Sequence, residues 1–127
     1  MTLPLPRRRL ALGLPGLLLA APALAHHGWS WAESEQTELS GTIEEIFIGP
    51  PHPRLTLRSD GTLWTVELGN PSQTRRAGFV EGSASVGDQA RAIGNRARDT
   101  GERRLKAVRL EVGGRRYDLY PERIQGG

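Results

Sequence analysis

The sequence predicts an all-β domain with one short helix, an OB-fold-like five-stranded barrel in the order β-β-β-α-β-β, preceded by a signal peptide. Three observations carry this. Apolar and polar residues alternate with period two in several runs bounded by turn residues. A single helix start, Asn70-Pro71, falls between the third run and the fourth. The alternation slips phase at Glu44-Glu45 and again between Ala107 and Val108, as β-bulges would make it do where a small barrel bends to close. An open antiparallel sheet with one helix is the alternative architecture.

The leader comes first in the chain. Arg7-Arg8-Arg9 gives a positive start, Leu10–Ala21 is apolar but too short for a stable span, and Ala23-Leu24-Ala25 fits a small-x-small cleavage site. Pro15 and Gly16 within the apolar run argue against a buried helix of the fold. Residues 1–25 are therefore expected to be removed by signal peptidase, leaving a periplasmic protein without a membrane anchor. Cleavage after Ala23 is the competing site, and Arg7-Arg8 leaves both general and twin-arginine export open. Three of the 17 basic residues go with the leader, so the mature chain carries 14 against 14 acidic ones. That balance gives no reason to expect nucleic acid as a partner. The lack of cysteine excludes disulfides and thiolate metal sites.

Residues 26–36 read as an N-terminal arm, 37–120 as the β-domain and 121–127 as a loose tail. Leu39, Gly41 and Ile43 alternate with polar neighbours, and Ile46 and Ile48 continue in the shifted phase, giving a strand over Glu38–Ile48. Gly49-Pro50-Pro51-His52-Pro53 must be a turn, because three prolines remove ladder donors. Leu55–Arg58 and Leu63–Leu68 follow as a hairpin about Asp60-Gly61. Asn70 caps a helix that begins at Pro71 and stops at Gly78. Gln89–Ala97 and Leu105–Val112 complete the strands, and Gly113-Gly114 would allow a short edge return over Arg116–Tyr120. The expected core contains Ile43, Ile46, Leu57, Val66, Leu68, Val108 and Leu110.

These residues resemble a family of uncharacterised exported bacterial proteins, a domain of unknown function. The resemblance rests on an ordered series: Ala25-His26-His27-Gly28-Trp29, Leu39-Ser40-Gly41-Thr42-Ile43, Pro50-Pro51-His52 in place of an Asn-Pro-His turn, Glu67-Leu68-Gly69-Asn70-Pro71, Arg75-Arg76-Ala77-Gly78-Phe79 and Gly87-Asp88. It spans His26 to about Val112 and implies export and an OB-like barrel, but no activity.

Cleavage after Ala25 would leave His26 with a free amine and an imidazole able to chelate one metal ion, with His27 or His52 adding nitrogen. Such a set suits copper, with zinc and nickel as competitors. An α-amine of pKa about 8 deprotonates for a metal at little cost near neutrality. Glu44 or Glu45 would be the supporting carboxylate. The competing reading is a metal-free OB-type binding module for a protein, glycan or anionic partner. Trp29, Trp31 and Trp64 could form a stacking platform, although Trp64 sits in an apolar face and reads as core. Arginines cluster between Arg91 and Arg109, interspersed with Asp88, Asp99, Glu102 and Glu111. Enzyme signatures are lacking, since neither a nucleophile–base pairing nor a phosphate-cradling loop can be read. No catalytic residue is assigned.

Overall fold

The computed structural model describes residues 28–126. The chain divides into the units Met1–Ser30 and Trp31–Gly127. Of the first unit only residues 28–30, a turn, are described; every strand and helix below lies in the second. The elements are β1 (Ala32–Phe47), β2 (Arg54–Ser59), β3 (Thr62–Glu67), α1 (Pro71–Arg76), β4 (Gln89–Ala97), β5 (Arg104–Val112) and β6 (Arg115–Asp118), then a 3-10 turn over Pro121–Arg123. The domain is all-β with one short helix, as the alternation predicts. A sixth strand joins the five expected for the barrel, the edge return that Gly113-Gly114 allows: the two glycines take the positive φ values of a tight hairpin (59° and 77°) and return the chain along β5.

The sheet order is β3-β2-β1-β4-β5-β6, with β3 and β5 also paired, so the pairings of the first five strands return on themselves. All are antiparallel except β3–β5. β1 makes this possible by changing partner. Its residues Ala32–Thr42 pair with β4, and Thr42–Phe47 pair with β2. The register shifts between Ile43 and Glu45, the bulge that the phase slip predicts. A second shift between Ile93 and Gly94 leaves Val108 as the extra residue of β5, again where the sequence slips.

The first strand starts six residues earlier than its apolar pattern. Of Ala32–Thr37, expected as a lead-in and so mostly part of the arm, Ala32, Gln36 and Thr37 pair with β4 around an irregular stretch. A backbone ladder needs no apolar side chain, so periodicity is blind to it. Of the tail expected over 121–127, Arg123 and Gln125 are tied down rather than loose. The Gln36 side chain donates to Arg123 O at 2.6 Å and accepts from Gln125 N at 3.0 Å.

Leu55, Leu57, Val66, Leu68, Leu105, Val108 and Leu110 are fully buried with Ile43, but Ile46 is only half-buried. It lies beyond the bulge, where β1 has β2 alone as a neighbour. Helix α1 is capped as expected: Asn70 Oδ1 accepts from Gln73 N at 2.8 Å, Pro71 opens the helix, and Gly78 at φ 99° ends it. Phe79 then packs edge-on against Tyr117, with ring centroids 5.2 Å apart. No helix among the described residues is long and apolar enough to cross a membrane.

Two glycines are required by close approach. A Cβ at Gly94 would run into the Lys106 carbonyl, and one at Gly41 into that of Arg58, both backbone groups that cannot swing away. Gly94→Ala should therefore cost about 1–3 kcal/mol, read as a fall of several degrees in the thermal unfolding midpoint.

Candidate functional site

The most unusual chemistry lies where β3 meets β5. Their parallel register places Glu67 beside Lys106, one residue beyond the core pair Val66 and Leu105. Successive side chains of a strand face opposite ways, so Glu67 and Lys106 lie on the outer surface of the sheet. Lys106 is nonetheless only 1% exposed. Its Nζ donates to Glu67 Oε1 at 2.7 Å, and Arg104 Nη2 donates to Glu67 Oε2 at 2.9 Å. The Lys106 ammonium also lies 5.6 Å from the Tyr120 ring, and the Arg104 guanidinium 3.6 Å from that of Trp31.

This pair is part of a polar line across five strands. Gln36, Asn95, Lys106, Glu67 and Arg54 are successive register partners from β1 through β4, β5 and β3 to β2. Asn95 Nδ2 donates to the carbonyls of Glu33 and Ser34 at 2.9 and 3.2 Å, filling the irregular stretch of β1 between Ala32 and Gln36. The C-terminal segment lies over this line. Leu119 and Tyr120 both donate backbone N–H groups to Val108 O, and Gln125 reaches Ser34 O.

His52, in the β1–β2 turn, lies within electrostatic reach of Glu67. Burial pushes the Glu67 carboxyl up. The hydrogen bonds from Lys106 and Arg104, with the charge of Lys106, outweigh that and hold it below the usual carboxylate range. The same burial pushes the Tyr120 phenol up to about 12, with the Glu67 charge adding to the effect. Two buried polar atoms, His52 Nδ1 and Asn95 Oδ1, have no hydrogen-bond partner among the described residues. Such groups are uncommon in folded proteins.

Of the three histidines singled out in the sequence, the structure places His52 in the β1–β2 turn, within electrostatic reach of Glu67 in this polar line. His26 and His27 lie outside the described residues. Among the described residues no three His, Cys, Asp or Glu side chains converge as metal ligands. Glu44 and Glu45, expected as supporting carboxylates, are engaged elsewhere: Arg58 Nε donates to Glu44 at 2.7 Å and Thr56 Oγ1 to Glu45 at 3.2 Å. Glu67 is the carboxylate that feels His52. Sequence reasoning missed Glu67, Lys106 and Asn95, because the register joining them is set by a pairing between distant strands. Only a lysine inside the otherwise apolar run Leu105–Val108 hinted at it.

Fold and site together define a small all-β protein with a buried, charge-compensated seam. The chain matches the family of unknown function DUF6152 over residues 16–106, nearly three-quarters of its length, and belongs to that family. No curated protein matches it.

Lys106→Met should destabilise the protein by roughly 3 kcal/mol, at the low end for a broken buried pair because Arg104 remains beside Glu67. Lys106→Met with Glu67→Leu should cost less than the single change, as read by urea unfolding. The acid side supplies an independent check. Because folding lowers the Glu67 pKa, its stabilisation is complete above the unfolded value of about 4.3. It is lost as pH falls through the lower folded value. Glu67→Gln should flatten that loss in urea midpoints measured from neutral to acidic pH.

Proposed function

We propose that this is an exported metal-binding protein in which nitrogen ligands from His26, His27 and His52 hold copper, with zinc and nickel as weaker competitors. The observation that carries the reading is the His52 Nδ1 atom, withdrawn from water and unclaimed by any hydrogen bond among the described residues. In the neutral imidazole that nitrogen can offer its lone pair to a cation, and Glu67 lies within electrostatic reach; metal-bound histidines are commonly supported by carboxylates. The free amine left by cleavage after Ala25 would supply the rest of a nitrogen set suited to Cu(II).

The basic, apolar and small-residue succession of residues 1–25 supports export to the periplasm. The ring of pairings β1-β2-β3-β5-β4, the helix between β3 and β4, and the two bulges support an OB-type barrel as the scaffold. The close glycine contacts at Gly41 and Gly94 fit the same curvature.

Cu(II) titration of the processed protein near neutral pH tests the function. Binding should be tighter than about micromolar, a free energy beyond roughly −8 kcal/mol. His26→Ala, or one extra residue before His26, should weaken it at least tenfold, and His52→Ala less. Micromolar or weaker binding, or indifference to the amino-terminal extension, would overturn the assignment.

A further inference from the structure

The cations between Arg91 and Arg109 divide into two groups. Arg91 pairs with Glu38 and Glu111, Arg109 with Asp118, and Arg104 and Lys106 with Glu67. Arg96, Arg98 and Arg103, at the β4–β5 hairpin, make no ion pair among the described residues. The acids of that hairpin are partly used. Glu102 lies 3.7 Å from Arg104, and Asp99 Oδ1 accepts the backbone N–H of Gly101.

Two of the three guanidiniums are held against one ring. Arg96 lies 4.7 Å and Arg103 5.8 Å from the centroid of Trp64, which is 9% exposed. Arg103 Nη1 is further anchored on Thr100 O at 3.1 Å. Stacking on an indole restrains a guanidinium while leaving its N–H edges free to bind, so less entropy is lost when they engage an anion. Arg98 is fixed through its backbone, which donates to Trp31 O.

From this geometry we infer that the β4–β5 hairpin, through Arg96, Arg98 and Arg103, is a binding site for a linear oxyanion bearing closely spaced phosphate or sulfate groups. The inference goes beyond the metal site and does not depend on it. A single exposed ion pair is worth about 1 kcal/mol or less, so one isolated phosphate would be held too weakly. A chain that engages several guanidiniums at once gains from each, with planar two-pronged geometry at every fork. Base stacking on Trp64 is disfavoured, because the ring is already covered by the arginines. A single-stranded nucleic acid would lose its principal means of binding there.

The test is isothermal titration of the purified protein at low and at physiological salt with tripolyphosphate, dextran sulfate and orthophosphate. Expected is binding of one or both chains, weakened by salt, with no measurable orthophosphate binding; the chain preferred assigns phosphate or sulfate as the source. Arg96→Ala with Arg103→Ala should lower affinity roughly tenfold, the loss of about 1.4 kcal/mol. Arg115→Ala with Arg116→Ala removes equal charge elsewhere and should lower it less than twofold. Arg96→Lys with Arg103→Lys keeps charge but loses the fork, and should fall between. Should the first double variant unfold, Arg98→Ala, whose exposed side chain makes no hydrogen bond, ion pair or ring contact among the described residues, should still weaken binding severalfold. Failure of both chains to bind at low salt would overturn the site. So would equal losses from the two alanine pairs, or full affinity in Arg98→Ala together with the lysine pair.

Discussion

The ion pair between Glu67 and Lys106 sits on the one parallel contact in the sheet, and the ring of strands depends on that contact. Without β3–β5, both strands would present open ladders, and the first five strands would form a curled sheet with exposed ends. Three register pairs are a short ladder. Its alignment is specified instead by side chains on both faces. A one-residue slip of β5 would turn Lys106 toward Val66 and its partner Leu55, and Leu105 toward Glu67. Either exchange places an ammonium among apolar groups or strands a carboxylate. Burying the pair gains little stability by itself. Its larger effect is to make every neighbouring register costly.

β1 imposes the complementary constraint on the opposite side of the ring. It must lie against β4 for most of its length and against β2 at its end, and one flat strand cannot do both without bending. The bulge at Glu44 supplies the bend, and Gly41 lets the chain pass the Arg58 carbonyl. Ile43 secures the crossing, since its backbone exchanges hydrogen bonds with Gly87 and Asp88 at the entry to β4. The C-terminal segment then ties back to the start of β1 through Gln36 and Ser34. Both ends of the folded unit are thus held near the polar line centred on Lys106.

What was legible in the sequence was local. The alternation of β2 and β3, the Asp60-Gly61 turn, the Asn70 cap and the slips at Glu44-Glu45 and Val108 each depend on residues close together in the chain, and each appears where the pattern puts it. The early start of β1 was hidden because Glu33, Ser34 and Glu35 contribute backbone rather than apolar side chains. Tyr120 read as the end of a short edge return, yet its ring lies against a lysine fourteen residues earlier in the chain. Rarity drew attention to His52. Nothing local could show that Glu67, rather than Glu44 or Glu45, would be its acidic neighbour.

Residues adjacent in sequence also divide the polar chemistry between two surfaces. Asn95 joins the line with Lys106 and Glu67, while Arg96 caps Trp64, whose cross-strand partner Leu57 is a core residue. Consecutive residues of β4 thereby serve opposite faces of one strand. The same alternation separates the arginines that neutralise carboxylates within the fold from those left to face solvent. A nearly balanced overall charge is therefore compatible with a locally cationic hairpin, because Asp and Glu partners are concentrated along the strands and only partly at the β4–β5 turn. Composition averages over that separation, whereas the register creates it.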